Sequence, residues 1–148
     1  MKSIRLMLII VLVFAAFIAG AIAWWKYPTP ITDIAPYEVS KIHITEYNEG
    51  GAQHGGTRII VTDQMNIKHI IENLNSVSIK KENLSLGNPV LGIGIIILKT
   101  DGSRHSFVID SNSRIRKGLL FYRPDSGSID LNYIHEMFNK YPHGFIIP

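Results

Sequence analysis

Leu91-Gly92-Ile93-Gly94-Ile95-Ile96-Ile97-Leu98-Lys99-Thr100, followed by Asp101-Gly102 and then Ser103-Arg104-His105-Ser106-Phe107-Val108-Ile109-Asp110, decides the fold class. The first ten residues form a nearly continuous apolar run, which reads as a strand covered on both faces at the centre of a sheet. Asp-Gly is the strongest hairpin signal in the chain, because glycine accepts the positive φ that a tight turn demands. The return strand places His105, Phe107 and Ile109 on one face. An antiparallel pair therefore forms the middle of the domain.

Upstream, Val39 to Tyr47 alternates around Ile42 and Ile44, a half-buried strand, and Arg58–Thr62 is a second strand. Between them Glu49-Gly50-Gly51-Ala52-Gln53-His54-Gly55-Gly56 is too glycine-rich for a regular element and reads as their hairpin loop. Asp63 is placed to cap a helix from Gln64 to Asn75. Within it Ile67, Ile70, Ile71 and Leu74 make one apolar stripe, while Lys68 and Glu72 face water. A strand at Val77–Lys81 and a loop at Asn83–Pro89 lead into the central hairpin. Downstream, short strands near Arg114–Lys117 and Leu119–Arg123 join through Gly118, and Pro124-Asp125-Ser126-Gly127 reads as a turn. Asp130 caps a last helix that buries Leu131, Ile134, Phe138 and Tyr141 and ends at Pro142. Segregated strands with hairpin signals give an α+β fold, one mainly antiparallel sheet with two helices packed on one face.

Before the domain, residues 4–25 are almost unbroken apolar sequence, from Ile4 to Trp25. Twenty-two residues at about 1.5 Å each make a helix of about 33 Å, enough to cross a hydrocarbon core of about 30 Å. Arg5 lies near enough to the start to snorkel to the headgroups. Trp24, Trp25 and Tyr27 suit the far interface. Lys2 and Arg5 precede the span, whereas Asp33 and Glu38 soon follow it, so the positive-inside bias puts the N-terminus in the cytoplasm. Residues 1–27 are thus a transmembrane signal-anchor, 28–37 a stalk containing three prolines, and 38–148 an extracytoplasmic domain. The alternative is a secreted domain released by cleavage after Ala23, since Ala21-Ile22-Ala23 fits the small-x-small pattern. Against it, the apolar stretch exceeds an ordinary signal core, and no polar segment precedes the cut.

The chain has 15 Lys+Arg and 12 Asp+Glu. Setting aside Lys2, Arg5 and Lys26, which flank the span, leaves 12 bases against 12 acids in residues 27–148. The basic surplus is a topology signal, and nucleic acid is not an expected partner. Arg114, Arg116 and Lys117 cluster locally and read as the solvated face of one strand and its turn. With no cysteine, the domain stands on its core alone, and lipid attachment through cysteine is excluded.

No motif carries catalysis. The glycine-rich stretch lacks the Gly-Lys-Ser/Thr ending and the following helix of a phosphate loop. The six histidines lack zinc-motif spacing, and His135-Glu136 has no second histidine one turn away. Ser106 and His105 are adjacent on a strand and point to opposite faces, and there is no nucleophile elbow. The dispersed acids give no glycosidase pair. No catalytic, cofactor-binding or metal-ligating residue is assigned. The candidates for partner binding are Tyr122, Arg123 and Tyr133, since tyrosine and arginine are common interface anchors, with His54 in the glycine-rich loop, which tolerates close approach by another chain, and His105.

Val39-Ser40-Lys41-Ile42, then Ile60-Val61-Thr62-Asp63 leading into Ile67-Lys68-His69-Ile70-Ile71-Glu72-Asn73-Leu74-Asn75, with the later Asp101-Gly102 hairpin and the Phe121-Tyr122 strand before a closing helix, resembles small membrane-anchored or secreted domains of unknown function from Gram-positive, Bacillus-like bacteria. The resemblance covers roughly residues 38–140 and implies an exported domain with no assigned activity. Three functions stay open. The first is a non-catalytic domain that binds another protein or a cell-envelope component. The second is an envelope enzyme or small-ligand receptor whose site assembles from distant residues such as His105, Arg123 and Tyr133. The third is a regulatory subunit acting through the membrane helix itself.

Overall fold

The computed structural model describes residues 2–47, 57–85, 91–141 and 146–147, with the side chains of 2, 3, 5, 146 and 147 left aside. The glycine-rich segment with His54 lies outside the described residues, as do Arg5's side chain and Pro142. Helix α1, Lys2–Lys26, comes first. Its apolar side chains are exposed all round, and an 18-residue window within Leu6–Lys26 with a mean hydropathy of 3.0 makes it long and apolar enough to cross a membrane or to serve as a signal sequence.

Nine strands form one sheet among the described residues. They are β1 (Thr29–Pro30), β2 (Val39–Tyr47), β3 (Arg58–Val61), β4 (Ser78–Leu84), β5 (Gly92–Lys99), β6 (Arg104–Asp110), β7 (Ile115–Lys117), β8 (Leu120–Ser126) and β9 (Ile146–Ile147). Their spatial order is β1-β4-β8-β7-β6-β5-β2-β3-β9, and all pairings are antiparallel except β3 with β9. Helix α2 (Gln64–Ser76) and helix α3 (Leu131–Lys140) supply the second layer, so the α+β architecture is the one the hairpin pattern predicts. Both caps form as expected: Asp63 accepts from the Asn66 amide at 2.9 Å and Asp130 from the Tyr133 amide at 3.0 Å.

The core lies between the sheet and these two helices. Ile42, Ile44, Ile95, Ile97 and Ile109 from the strands meet Ile67, Ile71 and Leu74 of α2 and Ile134 and Phe138 of α3 in a single buried cluster. Isoleucine suits this surface because its branched side chain fills the pleat with little loss of rotamer freedom. The two helices are also joined directly. The Tyr133 hydroxyl donates to Asn66 Oδ1, the Tyr133 ring lies 4.0 Å from the His69 ring, and the Asp130 amide donates to Asn73 Oδ1.

Four expectations change. Residues 29–34 are not a stalk but part of the domain. β1 pairs with β4, the Ile31 amide donates to Val77 O, and Ile31 and Ile34 are buried. The prolines there suit an edge strand, and the two isoleucines pull the segment onto the core. Second, Pro124, Asp125 and Ser126 continue β8, and the turn falls at Gly127, whose φ of 76° places its α-hydrogen where a Cβ would strike Ser76 O. Third, the Arg114–Lys117 cluster divides. Arg114 Nε pairs with Asp110 Oδ2 at 2.7 Å, whereas Lys117 turns inward and donates to Ile31 O at 2.8 Å. Burial holds the Lys117 ammonium below the usual lysine range. Fourth, β5 is covered on one face only. Ile93, Ile95 and Ile97 are buried, but Ile96 and Leu98 are half-exposed on the other side.

Candidate functional site

Because residues opposed across a ladder share a face, the register assigns every strand residue to one side of the sheet or the other. The inner side carries the core. The outer side runs through Ile60 and His43, then Ile96 and Ser106, then Val108, Arg116 and Phe121. Both α2 and α3 pack on the inner side, so among the described residues no helix covers the outer one.

The outer face is cationic. Each strand from β4 to β3 except β5 contributes one base: Lys80 on β4, Arg123 on β8, Arg116 on β7, Arg104 on β6, Lys41 on β2 and Arg58 on β3. At about 4.8 Å per strand this array extends about 29 Å. The central strand contributes Ile96 and Leu98, and Gly94, where Tyr47 lies so close that an added Cβ would be 2.6 Å from its ring. Two acids fall on this face by register. Asp125 is tied to Lys80 at 2.6 Å, and Asp110 is closed in its own turn by Arg114 and the amides of Asn112 and Arg114.

Folding alone gives little reason for such an array. Lys80 and Arg123 are direct cross-strand partners, and like charges in that position destabilise a ladder. His43 shows the same cost in another form. Its Nε2 is sealed from solvent without a hydrogen-bond partner, and burial, with Lys41 and then Arg58 nearby, holds its pKa below the ordinary histidine value. The opposite side of the molecule carries Asp63, Glu72, Asp130 and Glu136 on or beside α2 and α3, against Lys68 and Lys140. A domain whose summed charge is neutral is therefore polarised, basic on the sheet and acidic on the helices.

A second feature is a cavity of about 350 Å³ where the ends of β2, β5 and β6 meet α3. Glu46, Tyr47, Ile93, Ile109, Leu131 and His135 line it, and His135 Nδ1 stands 3.9 Å from Glu46 Oε1. Its volume falls in the range of small-molecule sites. Among the described residues no three His, Cys, Asp or Glu side chains are grouped to hold a metal ion.

The sequence candidates do not converge. His105 is exposed beyond the core edge of β6, and Tyr122 packs against the core as Ile115's partner. Arg123 belongs to the outer array, while Tyr133 is engaged between the two helices. Burial, then Asp63, Asp130 and Glu136, raise the Tyr133 pKa, and burial raises that of Tyr122, so both stay protonated phenols. Lys41, Arg58, Lys80 and Arg104 were not singled out by sequence reasoning, and Arg116 only as part of a local basic cluster. The signal was present as period-two alternation, but it shows only once the pairing of distant strands is known. Comparison with known protein families, curated proteins and solved structures finds no match to this chain.

Proposed function

We propose that the chain is a single-pass membrane protein, anchored by α1 with its N-terminus in the cytoplasm, whose external domain binds a cell-envelope component through the outer sheet face without catalysing a reaction. One observation carries this reading: six strands each present one base on a face that no described helix covers. Such a surface costs folding energy through like-charge repulsion, and a bound anionic partner offsets that cost. Exposed Ser106 lies at its centre. In native membranes a photo-crosslinking residue at Ser106 is expected to give adducts that Arg104→Glu with Arg123→Glu removes. The same residue at Glu72 on α2 is expected to give none. Adducts from Glu72 alone sink the proposal.

The cavity beside His135 supports a second reading, a receptor for a small, mostly apolar ligand oriented by Glu46 and His135. Saturable binding of such a ligand, lost in His135→Ala with Ser106 adducts unchanged, would favour it over the first.

A further inference from the structure

We infer that the anionic partner of the outer sheet face is the lipid headgroup surface of the bilayer that holds α1, so that the domain lies sheet-down on its own membrane. This rests on the proposed binding face and names its occupant. The tether supplies the first argument. α1 ends at Lys26 and β1 begins at Thr29, which leaves Tyr27 and Pro28 as the whole connection. The domain is also fastened at that point, because Lys81 Nζ donates to Trp24 O at 2.9 Å and sits 3.8 Å over the Trp24 ring. Trp24, Trp25 and Tyr27 are exposed aromatic residues of the kind that settle at the headgroup level. Lys80, the first base of the array, precedes Lys81 on β4 and projects from the opposite face, so the array begins on the strand that carries the tether. Arg123, Arg116 and Arg104 follow on successive strands, at about 5, 10 and 14 Å from β4.

Composition is the second argument. The face interleaves arginine and lysine with Ile60, Ile96, Leu98, Val108 and Phe121, all half-exposed. Cations meet phosphate oxygens, while aliphatic and aromatic side chains favour the boundary between headgroup and acyl chain. A broad sheet surface also matches an extended planar partner better than it matches a single small anion.

Polarity is the third argument. A neutral domain on a two-residue tether gains little net attraction from an anionic surface, but it gains a strong orienting torque. The basic face turns toward the membrane, and the acidic residues of α2 and α3 turn away. The tether supplies a high local concentration, so even weak contacts at each base set the orientation.

The chain has no cysteine, so single probes can be placed cleanly in the full-length protein. Ser106→Cys on the outer face and Glu72→Cys on α2 each receive an environment-sensitive dye. The protein is reconstituted in vesicles of phosphatidylcholine alone or with about one-third phosphatidylglycerol, both carrying a headgroup-located quencher. Quenching at position 106 is expected to exceed that at 72 several-fold in the anionic vesicles. It should fall to parity in the neutral ones, in about 1 M salt where the Debye length is about 3 Å, and in Arg104→Glu with Arg123→Glu. Arg123→Glu faces Lys80, so this variant exchanges a repulsion for an attraction and keeps the fold. Equal quenching at both positions in anionic vesicles overturns the inference, as does a preference independent of lipid charge. If Ser106 still gives charge-dependent adducts to a protein or polymer in native membranes, the binding face stands and only its occupant was wrong. Without adducts and without quenching, both fall.

Discussion

The two faces of the sheet are built from the same strands and have opposite physics. On β5, Ile95 sits between Ile44 and Phe107 beneath the helices and is fully buried, while Ile96 sits between His43 and Ser106 and is half-exposed. The residues are identical and adjacent, and only the pleat separates them. The inner face obeys the hydrophobic effect and pays for the fold; the outer face keeps apolar residues, bases and an unpartnered imidazole nitrogen where stability does not ask for them. The proposed function gives such a surface a use, contact with a partner.

The largest test of this contrast replaces the two isoleucines in turn. Ile95→Ala is expected to destabilise the domain by about 2–5 kcal/mol, since it removes buried methyls and leaves a cavity. Ile96→Ala is expected to cost about 1–2 kcal/mol, in proportion to its partial burial. Urea titration of the two variants measures the difference, and equal losses would mean that the outer face is packed as fully as the inner. Gly94 probes the same surface at smaller scale. An alanine there meets the Tyr47 ring, and because that ring is a side chain at the open face it can swing outward. The expected cost is about 1–3 kcal/mol, with increased Tyr47 exposure visible by fluorescence.

Much of this architecture is legible along the chain, and what was missed has a common cause. Periodicity placed both helices, their Asp63 and Asp130 caps and the Asp101-Gly102 hairpin, because each is local: a cap reaches three residues and a tight turn about four. Gly102 has a φ of 84°, and Asp101 Oδ1 accepts from the Ser103 amide, as the turn chemistry requires. The segment 29–34 misled because three nearby prolines suggested an extended stalk, while the burial of Ile31 depends on Val77 and Lys117, far along the sequence. The continuous apolar run of β5 misled in the other direction. It resembles a strand covered on both faces, yet its second face meets solvent and cations. The basic array was invisible for the same reason that the charge count looked neutral: its six members are scattered from Lys41 to Arg123, and strand order alone brings them together.

His43 gives a pH test of the outer face. Its folded pKa lies below the unfolded value of about 6.5, from burial first and then from Lys41 and Arg58. Above about 6.5 both states hold it neutral and its contribution to stability is fully present. As pH falls below that value the unfolded chain takes up the proton first, so stability declines toward the folded pKa. Melting temperature should therefore drop as pH is lowered from about 7.5 to 5.5. His43→Phe should show a shallower drop. An unchanged slope in the variant would mean that the imidazole is not held neutral by its surroundings.

Arg123→Glu gives the smallest effect on stability and separates the two faces most cleanly. The substitution turns a like-charge cross-strand pair with Lys80 into an opposite-charge pair. Pairs of that kind contribute about 0.2–1 kcal/mol, so the variant is expected to be equal to the parent protein or slightly more stable. The gain is limited because Asp125 already compensates Lys80 at 2.6 Å and will be repelled by the new carboxylate. On the inner face a mutation that preserves stability preserves the protein. Here the proposed function sets the reverse expectation, a fold kept or strengthened while adducts from Ser106 are lost, because under that proposal the repulsion tolerated by the native sequence is the source of the attracting field. Chemical denaturation and crosslinking on the same variant read the two quantities together, and loss of both in step would return Arg123 to a purely structural role.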